Sequence, residues 1–163
     1  MFATLAIDQG TKVWARSLPV RPAGCEITNL KAPCAGVPRT VIDGYWDWEL
    51  AMNRGAAFST LNGEHLLLSL AALGGLLLII AMAARTPAEQ HLKRVALALI
   101  AGGALGNLID RLRWGAVVDF VRWHIHDHRW PIFNIADAAL LIGMALLVIT
   151  ELRNRHRVVP LAP

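Results

Sequence analysis

Two aspartates are the residues of this sequence best suited to chemistry. Asp119 lies in the segment GAVVDFV and Asp137 in FNIADAA, and both segments are apolar enough to lie in or beside membrane helices. An ionisable side chain at that depth is costly without a partner, so it marks a functional site by default. Burial and like-charge repulsion would leave two such carboxyls sharing one proton near neutral pH. We therefore expect an acid–base pair that activates water for peptide hydrolysis without a covalent nucleophile.

Polar side chains precede Asp119 on a predicted helix. Asn107, Asp110 and Arg111 fall on one helical face, which presents an amide, a carboxylate and a guanidinium together near the outer interface. Two interpretations are open for this group. Asp110 and Arg111 form a structural ion pair, or these side chains contact a substrate.

Asn134 stands one helical turn before Asp137, at the start of the next predicted helix. Both residue types favour the first turn of a helix, so capping would explain one of them. Capping does not explain Asp119, which is flanked by Val118 and Phe120 in surroundings that should raise the pKa of a carboxyl.

The composition indicates that these residues are positioned by membrane helices. The chain has 163 residues, of which 55% are hydrophobic and 17% charged, unlike an ordinary soluble domain. We predict one mainly α-helical membrane domain over residues 1–163. Its apolar segments lie at about 1–18, 65–84, 92–110 and 132–152, and its extracytoplasmic loops at about 19–63 and 112–131.

The first apolar segment is unusual. Only seven residues precede Asp8, which as a helix would rise about 10 Å. Residues 1–18 could span a bilayer only if Asp8 and Lys12 both faced protein. We expect the natural start to lie upstream of Met1.

The distribution of charge predicts the orientation. The chain has a net charge of +4, but its basic residues form no basic face or recognition motif, so we expect no nucleic-acid partner. Basic residues in the 85–94 loop and in the tail from Arg153 to Arg157 place both segments in the cytoplasm. Five of the six tryptophans then lie in the two outer loops, where indole rings favour the headgroup zone.

The outer loops contain further patterns. Trp46, Trp48 and Leu50 alternate with acidic residues, which predicts a strand with an apolar face that lies against the membrane surface. Cys25 and Cys34 are compatible both with a disulfide and with two free thiols, because their spacing does not establish geometry.

Two other patterns have simple interpretations. Small residues are spaced four apart at Gly102 and Gly106, and again at Ala139 and Gly143, which predicts close helix packing. A histidine-rich group in the 124–128 segment lacks the helical HExxH pattern, so we interpret it as a solvated interfacial loop and expect no metal or cofactor.

Five motifs occur in a fixed order around these apolar runs. They are DQGTK at 8–12, NRGAAFS at 53–59, GGALGNLIDR at 102–111, GAVVDFV at 115–121 and FNIADAA at 133–139. Together they resemble the lipoprotein signal peptidase family, signal peptidase II, over most of residues 8–150. The resemblance implies a four-transmembrane-helix bundle with a small extracytoplasmic β-cradle and both termini in the cytoplasm.

The resemblance also implies an activity. The expected protein is a monomeric aspartyl peptidase of the bacterial inner membrane, with its active site on the extracytoplasmic side. Its substrates would be diacylglyceryl-modified prolipoproteins, cut just before the lipidated cysteine, and globomycin would be the expected type of inhibitor. The catalytic pair falls on Asp119 and Asp137. Site-supporting or substrate-binding roles fall on Asp8, Lys12, Asn53, Asn107, Asp110, Arg111 and Asn134.

A different class of function is also compatible with buried aspartates. A small non-catalytic membrane protein, such as a proton- or ion-conducting subunit, uses such residues in proton relays. That function would give no reason for the strand and loops on the outer side.

Overall fold

A computed structural model describes residues 1–22, 25, 34–55 and 65–157 of the chain. The helices in these residues are α1 (Phe2–Ala15), α2 (His65–Arg85), α3 (His91–Trp114) and α4 (Ile135–Arg157). The strands are β1 (Val20–Arg21), β2 (Ala35–Gly36), β3 (Arg39–Ile42), β4 (Trp46–Asn53), β5 (Val117–Ile125) and β6 (His128–Arg129).

The helices surround α3. Helices α1, α2 and α4 all pack against α3, which is the most buried of the long helices. Among the described residues, α2, α3 and α4 are long and apolar enough to cross a membrane. Large apolar side chains such as Leu77, Leu78 and Leu141 point outward and are more than half exposed, as expected of a surface that faces lipid. The protein is therefore a mainly helical, multi-pass membrane protein.

Helix α1 is shorter than the other three. Its 14 residues rise about 21 Å, less than the thickness of a hydrocarbon core. Both charged residues within it are turned toward protein, since Asp8 and Lys12 are almost completely buried. The first segment could span a bilayer only if both charged side chains faced protein, and their burial meets this condition. The number of helices that span the membrane stays a prediction.

Small residues allow α3 to approach its neighbours closely, as the spacing predicted. Gly102 faces Thr4 of α1, and Gly143 of α4 faces Ala96 and Ile100 of α3. Gly106 faces a polar side chain instead. A Cβ atom at this position would collide with the carboxylate of Asp8. The absence of a side chain there makes room for a polar group as well as for a helix.

We expect Gly106→Ala to lower the free energy of unfolding by about 1–3 kcal/mol, the usual cost of overpacking. The added methyl group should also displace Asp8 and thereby lower peptidase activity, because Asp8 contacts the start of α4. Thermal unfolding in detergent and cleavage rate measure the two effects. Gly74→Ala is the matched control, since nothing lies within 4 Å of a Cβ atom there. Equal behaviour of the two variants would contradict the close approach.

The larger sheet is antiparallel, with the order β3-β4-β5-β6. It confirms the strand predicted from the alternation in 46–50. The prediction that its apolar face lies against the membrane surface is wrong for Leu50, which is buried, and stays a prediction for the exposed part of Trp48. These side chains pack with Phe120 and with Trp14 and Ala15 at the end of α1, where the Trp14 and Trp48 rings are 5.1 Å apart.

The cysteine pair lies beside the small sheet. Strands β1 and β2 pair antiparallel, and Cys25 and Cys34 form a disulfide with their Cα atoms 5.9 Å apart. The disulfide closes the segment that separates the two strands.

Candidate active site

The start of α4 positions Asp137. Asn134 precedes the helix, and its Oδ1 accepts a hydrogen bond from the Asp137 backbone N–H at 2.9 Å. In return, Oδ2 of Asp137 accepts one from the Asn134 backbone N–H at 3.2 Å. This reciprocal arrangement is a capping box, so the capping interpretation is confirmed for both residues. The cap leaves the Asn134 amide nitrogen and the Asp137 Oδ1 available for other partners.

Asp119 comes from strand β5 and not from a helix end. Helix α3 ends at Trp114, and the positive φ of 65° at the next residue, Gly115, turns the chain into the strand. The Asp119 side chain is only 1% exposed. Its Oδ1 accepts a hydrogen bond from Asn134 Nδ2 at 2.7 Å, and its Oδ2 accepts one from Asn53 Nδ2 at 3.0 Å.

Asn134 therefore contacts both carboxylates. Its side chain donates to Asp119, while its backbone N–H donates to Asp137. Asn107 of α3 completes the connection, since its Nδ2 donates to Asp137 Oδ1 at 2.8 Å and its Oδ1 accepts from Asn134 Nδ2 at 3.1 Å. Asp119 is buried and Asp137 is partly exposed, so the two carboxyls have different access to solvent.

Lys12 lies behind this group. Its Nζ donates to Asn107 Oδ1 at 2.8 Å and forms ion pairs with Asp8 at 3.0 Å and Asp110 at 2.9 Å. All four side chains are buried. Three hydrogen-bond acceptors thus surround one ammonium group, which is the arrangement that a buried lysine requires.

Each aspartate paired with Lys12 also binds the backbone beside one of the two site aspartates. Asp8 Oδ1 accepts the Ala136 N–H at 3.0 Å, next to Asp137. Asp110 Oδ2 accepts the Val118 N–H at 3.1 Å, next to Asp119. Lys12 and its partners therefore fix the relative positions of α4 and β5.

The interpretation of Asp110 and Arg111 as an ion pair is wrong. Asp110 points to Lys12 of α1, and the Arg111 guanidinium donates to the backbone oxygen of Asn107 in its own helix at 3.4 Å. Arg111 is partly exposed, and its side chain meets the buried group through that backbone oxygen of Asn107 and not through a side-chain contact.

Gln9 was not among the predicted site residues, although it lies in the DQGTK motif. Its Nε2 donates to Asp8, to the backbone oxygen of Gly106 and to Asp110, at 3.1–3.2 Å. Its place in that motif, next to Asp8, was the signal in the sequence, because the other contacts join parts of the chain far apart along it. The structure thus brings together eight of the nine predicted residues, leaves Arg111 beside them, and adds Gln9.

The electrostatics of Asp119 follow from this arrangement. Burial removes the carboxylate from water and, with the negative charge of Asp137, raises the pKa of Asp119 from 3.8 to about 7. The amides of Asn53 and Asn134 act in the opposite direction, because they donate to the ionised form. A carboxyl with this pKa can hold a proton at neutral pH and release it during a reaction.

The histidine-rich 124–128 segment does not contact the two site aspartates through the described hydrogen bonds or ion pairs. His124 Nε2 lies 2.9 Å from Asp47 Oδ2, across the β4–β5 pair. Within residues 1–22, 25, 34–55 and 65–157, no three His, Cys, Asp or Glu side chains are grouped so that they could hold a metal ion.

Comparison with known proteins identifies the family. The sequence profile described as Signal peptidase (SPase) II matches residues 1–153. The chain belongs to the signal peptidase II family. This result confirms the resemblance drawn from the five motifs, and it makes the protein a member of a peptidase family.

Individual relatives agree with this assignment. The chain is 38% identical to the lipoprotein signal peptidase of Xylella fastidiosa strain 9a5c, over 93% of this chain and 87% of the relative. It is 41% identical to the lipoprotein signal peptidase of Xanthomonas axonopodis pv. citri strain 306, over 94% and 85%.

Solved structures share the fold. A bacterial membrane enzyme determined by the in meso method at 2.3 Å resolution superposes with a TM-score of 0.78 and 28% identity, covering 99% of this chain and 90% of that chain. A second, determined at 1.9 Å resolution, gives a TM-score of 0.75 and 30% identity, with 93% and 88% covered.

Proposed function

We propose that this signal peptidase II family member is an aspartyl endopeptidase that removes signal peptides from diacylglyceryl-modified prolipoproteins. It cleaves just before the lipidated cysteine. The single observation that carries the proposal is Asn134, whose side chain and backbone donate hydrogen bonds to Asp119 and Asp137 respectively. The names of the relatives support the class of substrate.

In the proposed mechanism the two carboxyls take different roles. Asp137 is partly exposed and lies in the first turn of α4, where the helix dipole favours a negative charge. It accepts a proton from water as the water oxygen attacks the peptide carbonyl. Asp119 is buried, and it enters the reaction protonated and donates to the carbonyl oxygen.

Collapse of the tetrahedral intermediate completes the reaction. The C–N bond breaks, and the departing amine of the cysteine receives the proton that Asp137 took from water. Asp119 recovers its proton from the hydroxyl of the intermediate, so both carboxyls return to their starting states. The products are the signal peptide with a new carboxylate and the lipoprotein with a free amine.

The surrounding residues support this chemistry. Lys12, Asp8 and Asp110 hold α4 and β5 together, and Asn53, Asn107 and Asn134 orient the carboxyls. Arg111 is partly exposed beside them, and we propose that it holds the substrate backbone. Neither step uses a metal or a cofactor.

We further propose that all four helices span the bacterial inner membrane, with the β3–β6 sheet as an extracytoplasmic cradle. The basic 85–94 loop and C-terminal tail support a cytoplasmic location for the opposite end. The active site then faces the side to which lipoproteins are exported. The protein acts as a monomer among membrane lipids, and globomycin is the expected type of inhibitor.

A cleavage assay with chelator tests the proposed function. Purified protein is incubated with a synthetic diacylglyceryl prolipoprotein peptide, with and without EDTA, and the products are identified by mass spectrometry. We expect cleavage before the lipidated cysteine at the same rate in both samples. Loss of cleavage with EDTA would point to a metal mechanism, and no cleavage in either sample would count against the substrate class.

The pKa of Asp119 predicts the pH dependence. If Asp119 reacts in its protonated form, kcat should fall as the pH rises through about 7. Asn53→Ala removes a hydrogen bond that lowers this pKa, so the fall should move to higher pH by about one pH unit. Asn154→Ala, on an exposed position at the far end of α4, is the control and should keep the original profile. A shift to lower pH in Asn53→Ala would contradict the assignment.

A further inference from the structure

A cavity lies on the sheet, and neither Asp119 nor Asp137 lines it. It is a groove of about 660 Å³ whose walls include Ile42, Trp46, Trp123, Ile125 and Trp130, with Arg129 at its edge. Strand β5 connects it to the candidate active site, and the separation of four residues between Asp119 and Trp123 corresponds to about 13 Å. Its volume is in the range of small-ligand sites.

The groove is open to the surroundings and strongly apolar. Trp123 is 57% exposed, Ile125 65% and Trp130 69%. A contiguous exposed apolar surface of this kind usually marks a binding or membrane-contact site. Tryptophan side chains in particular favour the headgroup layer, where the ring is buried in apolar surroundings and the N–H meets polar groups.

The connections of the sheet place the groove close to the membrane surface. Strand β5 begins three residues after α3 ends at Trp114. Phe133 pairs with Val121 of the same strand, two residues before α4 begins at Ile135. The sheet is thus tied at two points to helices long and apolar enough to span a membrane.

Basic side chains line part of the groove. Its described lining residues include Arg129 and His128, both exposed, and none of them is acidic. The nearby acids of β4 have partners of their own: Glu49 pairs with Arg122 at 2.6 Å, although its charge also attracts Arg129, and Asp47 lies 2.9 Å from His124. No ion pair involving Arg129 is formed within the part of the chain that the structure describes.

We propose that this groove binds an anionic phospholipid from the surrounding membrane. The acyl chain occupies the apolar channel between the tryptophans, and the phosphate contacts Arg129 and His128. An apolar cavity with a cationic edge matches an amphiphile with an anionic head. Bound lipid would hold the sheet against the bilayer, where the scissile bond of a membrane-anchored substrate must lie.

The tryptophans allow a direct measurement. The protein is placed in nanodiscs that contain phosphatidylglycerol with dibrominated acyl chains, or phosphatidylcholine with the same chains, and tryptophan fluorescence is recorded. Bromine quenches tryptophan only at close range. We expect stronger quenching by phosphatidylglycerol, and we expect the difference to shrink in the double variant Trp123→Phe, Trp130→Phe, which leaves Trp46 as the groove's remaining tryptophan among the described residues.

Variants of basic residues identify the role of charge. Arg129→Gln should lower the preference for phosphatidylglycerol by about fivefold, the effect of one cation near a charged surface. Arg39→Gln is the matched control, because Arg39 is exposed on β3 of the same sheet and does not line the groove.

Equal quenching by the two lipids, or an unchanged preference in Arg129→Gln, would overturn the proposal. Displacement of the brominated lipid by an unlipidated peptide from the mature region of a lipoprotein would assign the groove to peptide instead. The assay needs no cleavage, so its failure would leave the proposed peptidase function intact.

Discussion

Asp119→Asn should abolish cleavage of a diacylglyceryl prolipoprotein peptide while the protein stays folded in the membrane. Asparagine keeps the size of the side chain, but it can neither hold nor transfer the proton of the proposed acid. Loss of a general acid or base lowers the rate about 10²–10⁴-fold. Because the two aspartates act together, we expect Asp119→Asn to lower the rate by the upper end of that range. The measurement is single-turnover cleavage by purified protein in detergent.

The control for Asp119→Asn is Asp43→Asn, which makes the same chemical change at an exposed turn between β3 and β4. This variant should cleave at the unaltered rate. The thermal unfolding temperatures of both variants should be close to that of the parent protein, since burial penalises the charge that Asp119→Asn removes. Substantial cleavage by Asp119→Asn would show that the acid of the reaction is another group.

Lys12→Met should strongly destabilise the protein. It leaves the carboxylates of Asp8 and Asp110 buried without their cation. Breaking a buried ion pair by removing one partner costs about 3–5 kcal/mol. The same change should abolish activity, because Asp8 and Asp110 bind the backbone beside Asp137 and Asp119. Thermal unfolding in detergent measures the first effect and peptide cleavage the second.

Lys93→Met provides the comparison for Lys12→Met. Lys93 also pairs with a carboxylate, that of Glu151, but the pair is partly exposed and should contribute at most about 1 kcal/mol. A second test combines Lys12→Met with Asp8→Asn and Asp110→Asn, which removes the unpaired charges and should recover most of the lost stability. If Lys12→Met unfolded at the same temperature as Lys93→Met, the buried cation would not stabilise the fold.

The sequence was informative where local patterns decide structure. Helices α2, α3 and α4 follow the charge-poor runs, because a segment surrounded by lipid must be apolar along its length. Strand β4 follows the alternation around Trp46 and Trp48, since successive side chains of a strand point to opposite faces. The capping box at Asn134 follows from residue types and spacing alone.

Sequence reasoning led to a wrong prediction, or to none, for contacts that depend on packing between distant parts of the chain. The neighbouring charges of Asp110 and Arg111 suggested a local pair, but the cation that contacts Asp110 is Lys12 of α1. The contacts of Gln9 with Gly106 and Asp110 depend on the depth at which α1 lies against α3. That depth is set by side-chain packing across the interface, which no local pattern reports. The catalytic roles of the predicted site residues stay predictions.

The proposed mechanism depends on electrostatic coupling between Asp119 and Asp137. Isotope-edited infrared spectroscopy of protein with ¹³C-labelled aspartate carboxyls can follow protonation of Asp119 against pH, with Asp119→Asn identifying its signal. We predict a midpoint of about 7 in the parent protein. In Asp137→Asn we predict a lower midpoint that stays above 3.8, because the like charge is gone but the burial persists. An unchanged midpoint in Asp137→Asn, or a midpoint near 3.8 in the parent protein, would show that the two carboxyls are not coupled as proposed.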